Sequence, residues 1–313
     1  METEAERRRR EEYLEEVDKF RSNAIKIIEQ MLDWANQPKG SRYLVDEILH
    51  SIFFLGRITI PQIPPDAIVT DKDVYELLVD KYPQPFKCYS SMVAQRSPFS
   101  CVLDMVVKLK EQQNEDAIKT TLKEFAGTLN PTYLVSTTIC ICQHRNTGKA
   151  RQYGVSMSTS TRKQRQIVIG SSCCSTWEEY VASAVMTYYP GMQKNPRFDG
   201  TFKIPKYVRC EAFNIRKGDV IPPCQSCSNM FGLPISSDAK WPYGNCAEPE
   251  SLSNLLKNDP EIKNAAAPTS PTYTPENREK AKVAVMNRVR ADLKEEPIYF
   301  KWNGQFYEPQ REW

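Results

Sequence analysis

Two cysteine motifs in the second half of the chain contain residue types that bind zinc. Cys224 and Cys227 lie in PPCQSC, and Cys246 precedes Ala247 and Glu248 in YGNCAEPES. The two prolines before Cys224 cannot continue a strand, but proline is favoured at the start of a helix. We therefore expect Cys224 and Cys227 on a first helical turn, where free N–H groups and the helix dipole stabilise thiolates.

Cys246 is expected in a similar position, because YGNCAEPE is typical of a tight turn that leads into a helix. Two helix starts that face each other would bring the sulfurs of Cys224, Cys227 and Cys246 together. Zinc with three protein ligands keeps a fourth position open for water, which is the catalytic arrangement. Glu248 is close enough in sequence to exchange protons with that water without binding the metal. The three cysteines are the predicted zinc ligands, and Glu248 is the predicted catalytic residue.

Cys-Ala-Glu at 246–248, together with Pro-Cys-x-x-Cys at 223–227, resembles the zinc signature of the cytidine-deaminase-like superfamily. The resemblance implies a deaminase-like α/β/α domain, Zn²⁺ as cofactor, and hydrolytic loss of ammonia from a nucleobase that is free or in nucleic acid. Glu248 would be the proton shuttle. In the superfamily the Cys/His-x-Glu motif precedes Pro-Cys-x-x-Cys, whereas here it follows. The reversed order therefore requires a permuted or convergent site. Such sites are known, because unrelated enzymes assemble the same groups in different chain orders.

A structural zinc site that also uses Cys210 is the alternative. The 18 residues between Cys227 and Cys246 fall within the spacing of zinc ribbons. A closed four-cysteine site leaves no position for water, and Glu248 could instead form a capping box with Asn245. The protein would then be a non-catalytic adaptor, with zinc holding its loops together and its N-terminal helices binding a protein partner.

Composition restricts the choice of function. The 313 residues include 42 Lys and Arg against 39 Asp and Glu, so overall charge does not indicate a nucleic-acid-binding or polybasic membrane protein. A nucleobase, nucleoside or single-stranded nucleic acid remains compatible as substrate. The N-terminus lacks the apolar core of a signal peptide, and no apolar run approaches the roughly 20 residues of a membrane helix. These features predict a cytoplasmic or nuclear protein with reduced thiols and no membrane segment. With ten cysteines and two histidines, a metal site must rely on thiolates.

The pattern along the chain predicts an α+β protein with a boundary near residue 130. Residues 1–129 are expected to be helical, because apolar residues recur at helical spacing. The predicted helices span 3–36, 41–55, 71–81, 97–112 and 114–125.

Residues 130–313 are expected to form a mixed sheet-and-helix domain that carries the zinc site. TYLVSTTICICQ, RQYGVSMSTS and RQIVIG predict a three-stranded meander, with Cys140 and Cys142 on one sheet face as core thiols. A helix capped by Ser175 and Glu178 should follow Cys173 and Cys174, which are interpreted as filler, or as thiols activated by that helix's dipole. YVRCEAFNI predicts another strand, and residues 265–275 predict a linker. Thr274-Pro275-Glu276 is expected to start a helix that runs to about Glu295. Asn303-Gly304 predicts a hairpin turn.

Overall fold

The first part of the chain is helical in the computed structural model, as predicted. The structure describes residues 4–145, 148–235 and 238–311, and gives the backbone alone for residues 5–13. Two short helices begin at prolines, α3 at Pro65 and α5 at Pro83, because proline is accepted in a first helical turn. The helices of this part are α1 (Glu4–Ala35), α2 (Arg42–Arg57), α3 (Pro65–Ile68), α4 (Lys72–Lys81), α5 (Pro83–Cys88), α6 (Pro98–Lys110) and α7 (Glu115–Gly127).

The apolar stripe of α1 forms the centre of the helical layer. Phe20, Ile27 and Met31 recur at helical spacing and are fully buried, with α1 packed against α2 and α6. Burying each of these side chains contributes about 1.5–3 kcal/mol. The amide of Asn23 donates to the carbonyls of Asn130 and Tyr133, at 2.8 and 2.6 Å. These bonds join α1 to the segment that leads into the sheet.

The sheet has four antiparallel strands in the order β2-β1-β3-β4 among the described residues. β1 therefore lies in the interior, where its isoleucine and cysteine side chains are buried. Antiparallel pairing places Cys142 opposite Cys210. The strands are β1 (Thr138–His144), β2 (Gln152–Val155), β3 (Val208–Asn214) and β4 (Val220–Ile221).

The prediction of a third meander strand at RQIVIG was wrong. This sequence lies inside α8 (Arg162–Ser175), and Thr161 forms a capping box with Gln164 at the start of that helix. A short apolar run does not distinguish a buried strand from a buried helix, so the upstream cap decides the outcome. The expected Ser175 cap was also wrong, since Glu178 caps α9 (Glu179–Met186).

Cys173 and Cys174 consequently lie at the C-terminal end of α8 and not before a helix start. Burial raises the pKa of both thiols, to about 11 for Cys174. Thiol activation by a helix N-terminus therefore does not apply to this pair.

The remaining helices cover the sheet and close the chain. α11 packs on β2 and β1, while α13 packs on α8. Thr274 caps α13, with its hydroxyl accepting from the backbone N–H of Asn277 at 3.2 Å. The helices are α10 (Gln225–Phe231), α11 (Glu248–Asn258), α12 (Pro260–Ala265) and α13 (Pro275–Lys294).

The C-terminal hairpin prediction was wrong as well. Residues 303–307 pair with the N-terminal part of the chain, since Tyr307 N donates to Val93 O at 2.9 Å. The Tyr307 ring stacks on the buried His50 ring at 3.8 Å, and its hydroxyl donates to Asp46. The turn at Gly304 has a positive φ as expected, but its partner strand comes from elsewhere.

The described residues thus form an α+β fold, as predicted, with thirteen helices and one small antiparallel sheet. One cluster of buried apolar side chains extends from Phe20 in α1 to Phe300 near the C-terminus. The boundary at residue 130 stays a prediction. Across the described ranges, no helix combines the length and apolar composition needed to cross a membrane.

Candidate metal centre and adjoining cavity

The PPCQSC motif forms the start of α10. Cys224 is the N-cap residue with extended backbone angles, and Cys227 lies in the first turn. The loop at 239–241 is held against this helix, because Gln225 N donates to Ala239 O at 2.9 Å and Ser226 Oγ donates to Trp241 O at 2.5 Å. The chain therefore returns to α10 just before Cys246.

Cys246 follows a tight turn and lies just before the start of α11. Asn245 N donates to Pro242 O at 3.0 Å, and Gly244 has a φ of +88°. A Cβ at Gly244 would lie 2.8 Å from the Ile169 side chain, so the turn needs glycine for both its conformation and its packing. Asn245 O in turn accepts from Met157 N at 3.0 Å, which ties the turn to the residues after β2.

The two motifs bring three sulfurs together. The sulfurs of Cys224, Cys227 and Cys246 all lie within 4.8 Å of one another, and those of Cys224 and Cys246 are 3.6 Å apart. Cys224 and Cys227 are buried, and Cys246 is partly exposed. Four-coordinate zinc with Zn–S bonds of about 2.3 Å requires sulfurs about 3.8 Å apart. This triad could therefore hold a metal ion with only small side-chain movements.

The three thiols share their protons unevenly. Hydrogen bonds from the Cys227 and Cys246 thiols, supported by the backbone N–H groups of Cys227 and Ser226, lower the pKa of Cys224 to about 2. The same hydrogen bonds to Cys224 raise the pKa values of Cys227 and Cys246. A cation between the sulfurs would stabilise all three thiolates at once.

Glu248 begins α11 and is buried, with 5% of its surface exposed. Burial raises the pKa of its carboxyl group to about 7, and the nearby Cys224 charge acts in the same direction. The neighbouring Cys227 thiol partly offsets the rise. Asn245 forms no side-chain cap of α11, whose N-cap residue is Ala247. The capping-box role considered for Glu248 is therefore not seen.

A cavity of about 300 Å³ opens beside the triad. Cys224, Cys246 and Glu248 all line it, so one small molecule could contact both the metal ligands and the carboxylate. Sequence reasoning missed the other polar lining residues, which come from strand ends and loops and form no motif. These are Thr137, Thr138, Ser156, Asn214 and Asn245. The volume lies at the lower end of the range for ligand sites and suits a small ring.

Cys210 lies in a different cluster from the three predicted ligands. Its sulfur is grouped with those of Cys140 and Cys142, at 3.6 and 3.2 Å. Cys210 is in β3 and faces the same side of the sheet as its partner Cys142. The four-cysteine alternative therefore receives no support from this geometry.

Glu250 is a further buried carboxylate that the sequence did not single out. It accepts a hydrogen bond from Val155 N at 2.7 Å, and Arg96 lies 4.0 Å away. Arg96 is also bonded to Glu47 and Asp104. This network fixes the first turn of α11 against the edge strand β2 and thereby positions Glu248.

Glu250→Gln is expected to change how stability depends on pH. Burial raises the pKa of Glu250 to about 7, with Arg96 opposing the rise. The folded state then holds a proton that the unfolded state releases above about pH 4.5, so this group's contribution to stability falls as pH rises towards 7. The stability of the variant minus that of wild type, measured as the free energy of unfolding, should therefore increase from pH 4.5 to about pH 8. The increase should be at most about 3 kcal/mol. Urea melts at both pH values test this, and a reversed or absent difference would contradict it.

No family model, curated protein or solved structure matches this chain. The geometry of the triad, the carboxylate and the cavity is therefore the basis of the functional proposal.

Proposed function

We propose that this protein is a zinc-dependent hydrolytic deaminase that acts on a nucleobase, free or as part of a nucleoside or single-stranded nucleic acid. One observation carries the proposal: Cys224, Cys246 and Glu248 line the same cavity. A substrate ring there would contact the metal site and a buried carboxylate together.

The residues present fit zinc as the resident ion. Cys224, Cys227 and Cys246 provide an all-sulfur donor set, which suits Zn²⁺ and other thiophilic ions better than Mg²⁺ or Ca²⁺. Zinc bound by these three ligands would supply the Lewis acid that activates water at neutral pH. The protein's contribution is to hold the ligands on two helix starts and to leave the cavity on one side of them.

Glu248 would move the proton. Its carboxylate lines the cavity and is shielded from bulk solvent. It would accept a proton from the attacking water and donate one to the departing amino group, which leaves as ammonia. The second water proton would end on the adjacent ring nitrogen as the carbonyl oxygen forms.

The cavity lining supports a planar, polar substrate. Asn214 and Asn245 are among its polar lining residues, and Trp241, which also lines the cavity, is 54% exposed. An exposed aromatic ring is a stacking platform for a base in single-stranded nucleic acid. A cytoplasmic or nuclear location, where thiols stay reduced, would suit the ligand set.

The test is an ammonia-release assay with zinc-loaded wild type and a Cys246→Ser variant. Cytosine, adenine, their nucleosides and short single-stranded RNA and DNA are the substrates, and mass spectrometry identifies exchange of an amino group for a carbonyl oxygen. We expect wild type to convert at least one class, whereas Cys246→Ser should lose both activity and the zinc ion bound at the Cys224, Cys227 and Cys246 triad. Cys88→Ser is the matched control, because Cys88 belongs to no sulfur cluster among the residues that the structure describes.

Zinc binding at this triad without conversion of any substrate class would overturn the enzymatic assignment. That result would favour the non-catalytic adaptor, with zinc holding the loop at 239–246 to α10 and the N-terminal helices binding a protein partner.

A further inference from the structure

The second sulfur cluster, formed by Cys140, Cys142 and Cys210, lies on the sheet beneath α11. We propose that it is a second metal site, which takes a thiophilic d¹⁰ ion such as Zn²⁺. This inference does not depend on the proposed deaminase activity, because none of the three residues lines the cavity.

Strand geometry explains how the three sulfurs meet. Cys140 and Cys142 are two positions apart in β1, so both side chains point to the same face. Cys142 is paired across the ladder with Cys210 of β3, which places the third thiol on that face as well. Gly154 of β2 pairs with Cys140, and a Cβ there would run into the backbone of α11. The sulfurs are therefore on the face that α11 covers.

The sulfur positions match the requirements of metal coordination. Cys210 Sγ lies 3.2 Å from Cys142 Sγ and 3.6 Å from Cys140 Sγ, and all three lie within 4.8 Å of one another. Tetrahedral zinc thiolate sites need sulfurs about 3.8 Å apart, so small rotations would suffice. A disulfide would instead require the closest pair to approach to about 2.05 Å. The ligands are rigid, since Cys140 and Cys142 are fully buried in the central strand β1.

Other buried cysteines show what simple packing looks like in this fold. Cys101 and Cys173 are also buried, but neither belongs to a sulfur cluster within the described ranges. A buried cysteine that only fills space behaves as a small apolar residue and needs no sulfur neighbour. Three thiols converging on one point from two strands is instead the arrangement of a ligand set. The all-sulfur donors select thiophilic ions over Mg²⁺ or Ca²⁺.

Metal stoichiometry distinguishes the two sites. The full-length protein is purified anaerobically with a non-thiol reductant, loaded with excess Zn²⁺, desalted, and measured by elemental analysis as wild type, Cys246→Ser and Cys246→Ser/Cys210→Ser. We expect two, one and no tightly bound ions per chain, respectively. Circular dichroism and thermal melts verify that each variant is folded. Cd²⁺ titration of Cys246→Ser adds a second readout, because this variant keeps all three cysteines of the second cluster. Sulfur-to-cadmium charge-transfer absorption should rise until one equivalent of Cd²⁺ has been added.

One ion in wild type and none in Cys246→Ser would overturn the second site. So would retention of the ion in folded Cys246→Ser/Cys210→Ser, because the ion would then lie elsewhere. A Cys142–Cys210 disulfide in the anaerobically reduced protein, detected by peptide mass analysis, would also overturn it. A result of two ions without any deaminase activity would support this site while refuting the proposed function.

Discussion

Glu248→Gln should lower turnover in the proposed deamination by about a hundred- to ten-thousand-fold, the usual range for loss of a general acid–base group. Glutamine is nearly isosteric with glutamate and retains a hydrogen-bonding side chain, but it cannot accept and return a proton. Because Glu248 is the first residue of α11 and is buried, the conservative substitution avoids leaving a void. Zinc content and unfolding temperature should stay close to wild type, since the three sulfurs are untouched.

Glu261→Gln serves as the matched control for this variant. Glu261 lies in α12, where its side chain is 68% exposed and forms a surface ion pair with Lys149. Its turnover should equal that of wild type. If Glu248→Gln keeps most of the wild-type activity on the substrate found by the screen, Glu248 is not the proton carrier and the assigned mechanism is wrong.

The local parts of the site could be predicted from sequence because they depend on short-range rules. Proline before Cys224 and the small turn before Cys246 both indicate helix starts, and both cysteines lie there. The chain order of the two motifs did not prevent their sulfurs from meeting. What brings them together is the hydrogen bonding of the loop at 239–241 to α10, which no sequence pattern indicates.

Predicting the second sulfur cluster would have required knowledge of the strand register in the sheet. Alternation in β1 predicted that Cys140 and Cys142 share a face, but not that Cys210 lies opposite Cys142. Strand pairing across 68 residues is a long-range feature, because it depends on which segments fold between the two strands. RQIVIG was expected in the sheet but lies in α8, one of two helices between β2 and β3. The spacing groups Cys210 with Cys224, Cys227 and Cys246 in the structural alternative, whereas the Cys210 sulfur lies beside those of Cys140 and Cys142.

A glycine in β2 gives the clearest case of a signal that sequence reasoning could have used. An isolated glycine within a strand often marks the close approach of another backbone. A Cβ at Gly154 would lie 2.2 Å from Ser251 N, 2.7 Å from Ala247 O and 2.8 Å from Glu250 C. All three atoms belong to the backbone around the first turn of α11, so no side-chain rotation relieves the overlap. Gly154 thus sets the distance between α11 and the sheet, and with it the positions of Cys246 and Glu248.

Gly154→Ala should therefore impair both folding stability and the metal centre. Forcing a methyl group into this contact costs about 1–3 kcal/mol or more, because α11 must move away from β2. Displacement of Cys246 from Cys224 and Cys227 should weaken zinc binding at least tenfold, which corresponds to about 1.4 kcal/mol. Urea melts and competition with a zinc-sensitive chelator measure the two effects.

Gly127→Ala is the control, since a Cβ at this exposed helix-end residue would meet nothing within 4 Å. It should be neutral or slightly stabilising, because alanine favours helix and restricts the unfolded chain. The two glycine variants add the same methyl group, so their difference isolates the contact between β2 and α11. If Gly154→Ala melts and binds zinc like Gly127→Ala, α11 is not held at the distance described. The position of Cys246 relative to the other two sulfurs then does not depend on the contact between β2 and α11.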